Sequence, residues 1–130
     1  MKESILVVDD DVLVGRMTAA ALGKLGYGAI VASSAAEAYE LWRRRQGEIS
    51  LLLKDINMPD ETGDQFALRL LREEPDLKVL FMSGNSSNSL VSCVPLIAGQ
   101  NFLPKPFDIE TLAGAISLQF SQRHQSDVVR

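Results

Sequence analysis

The chain has 130 residues, of which 46% are hydrophobic and 23% are charged, and its formal net charge is −4 at pH 7. These values are typical of one globular domain with a sizeable core and exclude a disordered chain. The negative net charge disfavours direct nucleic-acid binding. The single cysteine excludes an internal disulfide. The sequence shows neither an apolar run long enough to cross a bilayer nor the pattern of a signal peptide, so we expect a cytoplasmic protein that does not contact a membrane.

Strand-like and helix-like segments alternate through the first half of the chain. Residues 5–8 form a continuous apolar run, which is typical of a strand buried on both faces. Asp11 stands at an N-cap position before apolar residues at helical spacing, among which we expect Met17 to face the core. Ser34 and Glu37 have the spacing of a capping box and predict the start of a second helix. The predicted elements are a strand at 5–8, a helix at 12–25, a strand at 29–32 and a helix at 35–45.

The second half of the chain continues this alternation. Turn-forming residues at 57–63 separate a third strand from a third helix, which ends before Pro75. Asp108 stands at the N-cap of the last helix. Residues 85–99 begin with a polar run and contain Pro95, so the conformation of this segment stays open. The predicted elements are a strand at 49–53, a helix at 64–73, strands at 78–82 and 102–103, and a helix at 109–120.

Five successive strand–helix units, of which the fourth has the open segment at 85–99 in the helix position, predict an α/β domain. Strands and helices that alternate at this spacing form a doubly wound parallel sheet of five strands, with helices on both faces. The sequence contains no internal repeat, low-complexity tract or linker, so we expect one domain over residues 1–122, followed by a polar tail at 123–130.

Charged and hydroxyl side chains stand at the carboxyl ends of the predicted strands. Asp9 and Asp10 follow the first strand, Asp55 the third, Ser83 the fourth and Lys105 the fifth. Open parallel sheets bind their ligands at this edge, and grouped carboxylates repel one another unless a cation joins them. Carboxylate oxygens suit Mg²⁺. A metal ion, a carboxylate, a hydroxyl and an ammonium group together predict a site for phosphoryl chemistry.

Four short motifs surround these strand ends: Ile5-Leu6-Val7-Val8-Asp9-Asp10-Asp11, Asp55-Ile56-Asn57-Met58-Pro59 with Gly63, Leu80-Phe81-Met82-Ser83-Gly84, and Phe102-Leu103-Pro104-Lys105-Pro106-Phe107. In this order they resemble the receiver domain of response regulators in two-component signalling. The resemblance spans residues 5–120. It implies the flavodoxin-like receiver fold, in which the strand order of the sheet is 2-1-3-4-5.

The resemblance also implies a role for each acidic residue. Asp55 is expected to be the phosphoacceptor, whose carboxylate attacks phosphorus and becomes an acyl phosphate. Asp10 is expected to bind Mg²⁺ directly and Asp9 directly or through water, with Asp55 and the backbone carbonyl of Asn57 as further ligands. The phosphoryl group would come from a histidine kinase or a histidine phosphotransfer domain. The domain would catalyse its own phosphorylation and dephosphorylation and turn over no external substrate.

Three further residues are implied in catalysis and switching. Ser83 would donate a hydrogen bond to a phosphoryl oxygen, and Lys105 would pair with another. Phe102 matches the aromatic switch position of the family. Movement of Ser83 toward the phosphoryl group would let Phe102 change its packing and would remodel the surface around strand five and the family's fourth helix, which corresponds to the segment at 85–99. An output protein or domain would bind this surface.

Lys54 departs from the family pattern, because receivers more often carry a small, apolar or hydroxyl residue before the phosphoacceptor. Adjacent residues of a strand point to opposite faces of the sheet. We therefore expect Lys54 not to project with the carboxylate of Asp55, and its effect on the local field stays open.

Two other functions fit parts of the pattern. Asp9 and Asp11 have the spacing of the nucleophile and the second aspartate of haloacid-dehalogenase-like phosphatases, although Leu13 stands where that family expects Thr or Val. That interpretation leaves the motif at 55–59 unexplained. A degenerate receiver, which only docks a partner, would fold normally without binding Mg²⁺ or accepting a phosphoryl group.

Overall fold

A computed structural model describes residues 3–56, 58, 65–84 and 101–121. Within these ranges the chain forms a five-stranded parallel sheet in the order β2-β1-β3-β4-β5, which confirms the predicted fold class and strand order. The segment at 85–99 and the tail at 123–130 lie outside the described residues. The strands are β1 Ser4–Val8, β2 Gly28–Ala32, β3 Ile49–Asp55, β4 Lys78–Ser83 and β5 Phe102–Pro104. The helices of the described ranges are α1 Val12–Lys24, α2 Ala35–Arg44, α3 Gln65–Glu73 and α4 Ile109–Ser121.

Two apolar layers cover the two faces of the sheet. The layer with α2 and α3 contains Trp42 and Phe66, and the layer with α1 and α4 contains Leu22 and Ile116. Strand β3, which contributes alternate residues to both layers, is buried at every position except Ser50. Burial of each large apolar side chain stabilises the fold by about 1.5–3 kcal/mol. The layers thereby hold the strands in register and fix the positions of the residues that follow them.

Aspartate side chains cap two of the helices, as the sequence predicts. Asp11 Oδ1 accepts hydrogen bonds from the amides of Leu13 and Val14 at 3.1 and 3.2 Å, at the start of α1. Asp108 Oδ1 accepts a hydrogen bond from the amide of Thr111 at 2.7 Å, at the start of α4. Such bonds satisfy backbone donors that have no partner within the helix.

None of the helices in the described ranges has the length and apolar character needed to cross a membrane.

Helix α1 approaches the sheet closely at Gly15. A Cβ atom at this position would lie 3.2 Å from Val31 Cγ1 and 3.9 Å from Asp9 Cβ. Near its start the helix buries the small residues Gly15 and Thr18. The expectation that Met17 faces the core is wrong, because in the first half of α1 this face of small residues, and not the face with Met17, turns toward the sheet. Met17 is 63% exposed as a result.

Candidate functional site

The parallel sheet brings four of the predicted site residues to its carboxyl edge. Asp9 directly follows β1, Asp55 is the last residue of β3, Ser83 is the last residue of β4, and Lys105 directly follows β5. Neighbouring strands are paired in register up to this edge. Residues that are separated by up to 96 positions in sequence therefore become neighbours.

Lys105 joins two of the carboxylates. Its Nζ atom lies 2.7 Å from Asp55 Oδ2 and 2.8 Å from Asp9 Oδ2. The side chain of Asp9 is completely buried, and that of Lys105 is only 17% exposed. Charge-assisted hydrogen bonds of this kind are strong in a site that is largely shielded from water. The ammonium group therefore holds the two carboxylates on either side of it.

Asp10 adds a third, exposed carboxylate to this pair. Asp9, Asp10 and Asp55 each place one carboxylate oxygen within 4.8 Å of the others. Clustered carboxylate oxygens are the donors that hard cations such as Mg²⁺ prefer, so the donor set fits a divalent ion. Asn57, the fourth predicted ligand, lies outside the described residues.

Burial and ion pairing shift the pKa values of two groups in this cluster. Burial raises the pKa of Asp9 above its usual 3.8, although hydrogen bonds from Lys105 and from the Asp11 amide partly oppose the effect. Burial acts to lower the pKa of Lys105, but the hydrogen bonds to Asp55 and Asp9 and their negative charges together outweigh it and raise that pKa. Lys105 therefore stays a cation at neutral pH. It lies next to the carboxylate of Asp9, whose ionised form is disfavoured by burial.

Ser83 and Phe102 lie on the two strands beside this cluster. Ser83 is 1% exposed, and its backbone carbonyl accepts a hydrogen bond from the Lys105 amide at 2.8 Å. A Cβ atom on Gly84 would meet no atom of the described chain within 4 Å. Phe102 is buried in the layer of α2 and α3. The peptide bond between Lys105 and Pro106 is cis. The switching roles of Ser83 and Phe102 stay predictions.

An exposed apolar surface lies next to the cluster, and the sequence analysis missed it. Val12, Leu13 and Met17 of α1 are 51%, 66% and 63% exposed, and Ile109 at the start of α4 is 38% exposed. We name these four residues the α1 surface. A pocket of about 560 Å³ lies between α1 and the start of α4, and its lining includes Met17, Ile109 and Lys105. Helical spacing alone does not distinguish an apolar face that packs inside the molecule from one that is exposed.

The complete burial of Lys54 and the partner of its ammonium group are further features that the sequence analysis did not predict. Its side chain is fully buried, and its Nζ atom donates a hydrogen bond to the backbone carbonyl of Asp55 at 2.9 Å. Leu52 and Ile56 lie two residues before and two residues after Lys54, so the three side chains point to the same face. Leu52 and Ile56 belong to the layer of α2 and α3. The side chain of Lys54 therefore lies on the face of the sheet that α2 and α3 cover, opposite to the carboxylate of Asp55, as the alternation of the strand predicts.

Comparisons with known proteins agree with this geometry. The family model of the response regulator receiver domain matches residues 5–117. The sensor kinase CckA of Brucella abortus is 32% identical over 113 residues, which cover 87% of this chain and 12% of the kinase. The response regulator receiver protein CpdR of the same organism is 35% identical over 112 residues, which cover 86% of this chain and 92% of that protein.

A solved structure shows the same relationship. The crystal structure of the receiver domain from the hybrid histidine kinase CckA has a TM-score of 0.73 and 30% identity, and covers 91% of this chain and 99% of that chain. The chain spans 12% of the length of the Brucella CckA kinase and 23% of the regulator NtrC of Rhizobium meliloti. None of these comparisons supports the haloacid-dehalogenase alternative. The chain belongs to the response regulator receiver domain family of two-component signalling.

Proposed function

We propose that this receiver domain accepts a phosphoryl group on Asp55 in a reaction that depends on Mg²⁺. The observation that carries the proposal is the position of Lys105 Nζ, 2.7 Å from Asp55 Oδ2 and 2.8 Å from Asp9 Oδ2. The side chain of Asp55 is 8% exposed, so the carboxylate is largely shielded while one edge stays accessible. A shielded carboxylate beside a fixed cation suits nucleophilic attack on phosphorus.

The transfer needs little covalent chemistry beyond Asp55 itself. A carboxylate oxygen of Asp55 attacks phosphorus, the bond from phosphorus to the donor's imidazole nitrogen breaks, and the imidazole keeps the electron pair of that bond and takes a proton from solvent. Lys105 neutralises negative charge on the transferred group, and Ser83 donates a hydrogen bond to one of its oxygens. Asp9, Asp10 and Asp55 would hold Mg²⁺, which when bound supplies further positive charge to the phosphoryl oxygens.

The α1 surface is where we expect the phosphoryl donor to contact the domain. Exposed apolar residues that lie together mark contact surfaces in soluble proteins, and Leu13 and Met17 are among the most exposed apolar residues of the described chain. The pocket beside them also includes Lys105 in its lining, so a bound donor lies close to Asp55. A histidine kinase or a histidine phosphotransfer domain is the donor that two-component signalling implies.

Strand β5 is the element that would carry the signal away from the site. A phosphoryl group adds about 1.5–2 negative charges, and a movement of Ser83 toward it would reach β5 through the bond between the Ser83 carbonyl and the Lys105 amide. Phe102 opens β5 and pairs in register with Phe81 of β4. We propose that its packing changes and that an output protein or domain recognises the altered surface. The cytoplasmic location stays a prediction.

Labelling with a small acyl phosphate tests the proposal. Incubation with acetyl phosphate and Mg²⁺ should add one phosphoryl group, which peptide mass spectrometry should assign to Asp55. Asp55→Asn should abolish the label, and Asp10→Asn should reduce it strongly at limiting Mg²⁺. Asp76→Asn, the same kind of substitution in the turn before β4, is the control and should be labelled like the wild type.

Two results contradict the proposal. A label on Asp9 that survives Asp55→Asn indicates phosphatase chemistry. A folded wild-type domain that neither binds Mg²⁺ nor takes a label is a degenerate receiver that only docks a partner.

A further inference from the structure

Lys54 directly precedes the proposed phosphoacceptor and has no exposed surface. Its neighbours in register are Val8 of β1 and Phe81 of β4, both of them buried and apolar. Lysine is almost never fully buried unless its ammonium group has a partner, because removing a charge from water is costly. A methionine or leucine would fill this position without a buried ammonium group, so the contacts of that group bear on what the residue does.

The ammonium group contacts the backbone of the phosphoacceptor. Lys54 Nζ donates to the carbonyl oxygen of Asp55 at 2.9 Å. The amide of Ile56 donates to the Met82 carbonyl, so it points toward β4. The carbonyl and the amide of a planar trans peptide group point in opposite directions, and the Asp55 carbonyl therefore points toward β1. The pairing of β1 with β3 ends at Val8 and Lys54. The Asp55 carbonyl lies just beyond this pairing, and the side chain of Lys54 donates a hydrogen bond to it there.

We propose that Lys54 is a positioning residue for phosphoryl transfer, which holds the Asp55 peptide group and places a fixed positive charge behind the phosphoacceptor carboxylate. The inference rests on the proposed function of Asp55. The ammonium group of Lys105 contacts the side-chain carboxylate of Asp55 at 2.7 Å, and that of Lys54 contacts the backbone carbonyl of the same residue. The two ammonium groups therefore act on the same residue from two sides.

The charge of Lys54 has opposite consequences for the two ligands of the site. Phosphorylation makes position 55 more negative, so a nearby cation stabilises the phosphorylated state more than the unphosphorylated state. The same cation repels a divalent ion at Asp9, Asp10 and Asp55. Charges a few ångströms apart inside a protein interact strongly enough to change an affinity by roughly tenfold. Opposed changes in the two affinities therefore identify a charge effect.

Lys54→Met tests the inference, because methionine fills a similar volume without a charge. Titration calorimetry with Mg²⁺ alone should show binding several-fold tighter than in the wild type. With Mg²⁺ at saturation, beryllofluoride, which stands in for the phosphoryl group, should bind roughly tenfold more weakly. Urea unfolding should show some loss of stability, because methionine leaves the buried Asp55 carbonyl without its donor, so both affinities are measured where the variant is fully folded. Lys78→Met removes a charge at the other end of the sheet, where Lys78 pairs with Leu51, and should change neither affinity.

The possible results separate this inference from the proposed function. Lys54→Gln is a second neutral variant, which tests the inference if Lys54→Met does not fold, and it should show the same opposed changes. If the wild type binds both ligands and the neutral variants bind them equally well, the role of Lys54 is wrong and the proposed function stands. If the neutral variants bind both ligands more weakly, instead of showing opposed changes, Lys54 is only structural. If the wild type does not bind beryllofluoride, the proposed function fails and the role of Lys54 fails with it.

Discussion

Two carboxylates in this domain, Asp9 at the carboxyl edge of the sheet and Glu73 at the end of α3, lie in opposite environments. Hydrogen bonds from Tyr39, and next from Trp42, lower the pKa of Glu73 below its usual 4.5. The two donors contact different oxygens, at 2.6 and 2.9 Å. Burial instead raises the pKa of Asp9, even though Lys105 lies 2.8 Å away.

The difference shows what each region contributes. Neutral donors on α2 satisfy Glu73 and join α2 to α3, so its negative charge stabilises the fold. At the carboxyl edge, Asp9 shares the ammonium of Lys105 with Asp55, and Asp10 adds a further negative charge. We expect this arrangement to cost stability and a bound cation to relieve the cost. Sites that bind ligands often retain such unfavourable contacts, whereas purely structural contacts do not need them.

The largest expected effect comes from removing the ammonium group at the carboxyl edge. Lys105→Met should lower the free energy of unfolding by about 3 kcal/mol at pH 7 without Mg²⁺, because it leaves buried carboxylates without their partner. Added Mg²⁺ should restore part of the loss, since a bound cation stabilises the folded state. Urea unfolding with and without Mg²⁺ measures both effects. Lys24→Met, at the exposed end of α1, is the control and should stay within about 0.5 kcal/mol of the wild type. An unchanged stability of Lys105→Met contradicts the prediction.

A smaller effect of opposite sign is expected from Asp9→Asn. The raised pKa of Asp9 means that its ionised form costs the folded state free energy. That cost is fully present above the raised folded pKa and disappears as the pH falls below the usual value of 3.8. Asp9→Asn should therefore be more stable than the wild type by about 1 kcal/mol at pH 7, and the two proteins should converge at acid pH.

Urea unfolding over a pH series measures this convergence. Asp76→Asn, outside the acidic cluster, should give a curve parallel to that of the wild type. A wild type that is more stable than Asp9→Asn at neutral pH without Mg²⁺ shows that the ion pair with Lys105 outweighs the burial of Asp9.

The smallest effect concerns the contact between α2 and α3. The lowered pKa of Glu73 contributes stability that is present above pH 4.5 and is lost as the pH falls through the lowered value. Tyr39→Phe removes the larger cause of this shift, so its stability should be below that of the wild type at pH 7 and should approach it in acid. Trp42 is the single tryptophan of the chain, and its fluorescence reports this contact directly. Tyr27→Phe, a tyrosine in ring contact with Phe120, should leave the pH dependence unchanged. A difference for Tyr39→Phe that persists at acid pH contradicts the prediction.

Local signals in the sequence determined most of the secondary structure. Asp11 caps α1, and the Ser34 hydroxyl accepts a hydrogen bond from the Glu37 amide at 3.1 Å, as predicted. Strand β3 runs to Asp55, two residues beyond the predicted end at residue 53. Periodicity predicted a parallel sheet but did not order its strands, and the order came from the resemblance to receiver domains.

What the sequence could not determine depends on packing in three dimensions. The helical pattern of α1 did not show that Gly15 and Thr18 face the sheet while Met17 faces solvent, because the pattern does not specify how closely a helix packs. Alternation along β3 gave the face of Lys54 but not the partner of its ammonium group. The sequence likewise placed Lys105 at the correct edge without showing that it joins Asp9 and Asp55.

The close approach of α1 at Gly15 links the shape of the helix to the chemistry of the site. Even one methyl group there would have to displace Val31 by a few tenths of an ångström or move the helix itself. Because Asp9 and Asp10 connect β1 directly to the first turn of that helix, such a movement changes the spacing of the acidic oxygens. We therefore expect a substitution of Gly15, which has no functional group of its own, to weaken cation binding at the acidic cluster while leaving every proposed ligand in place.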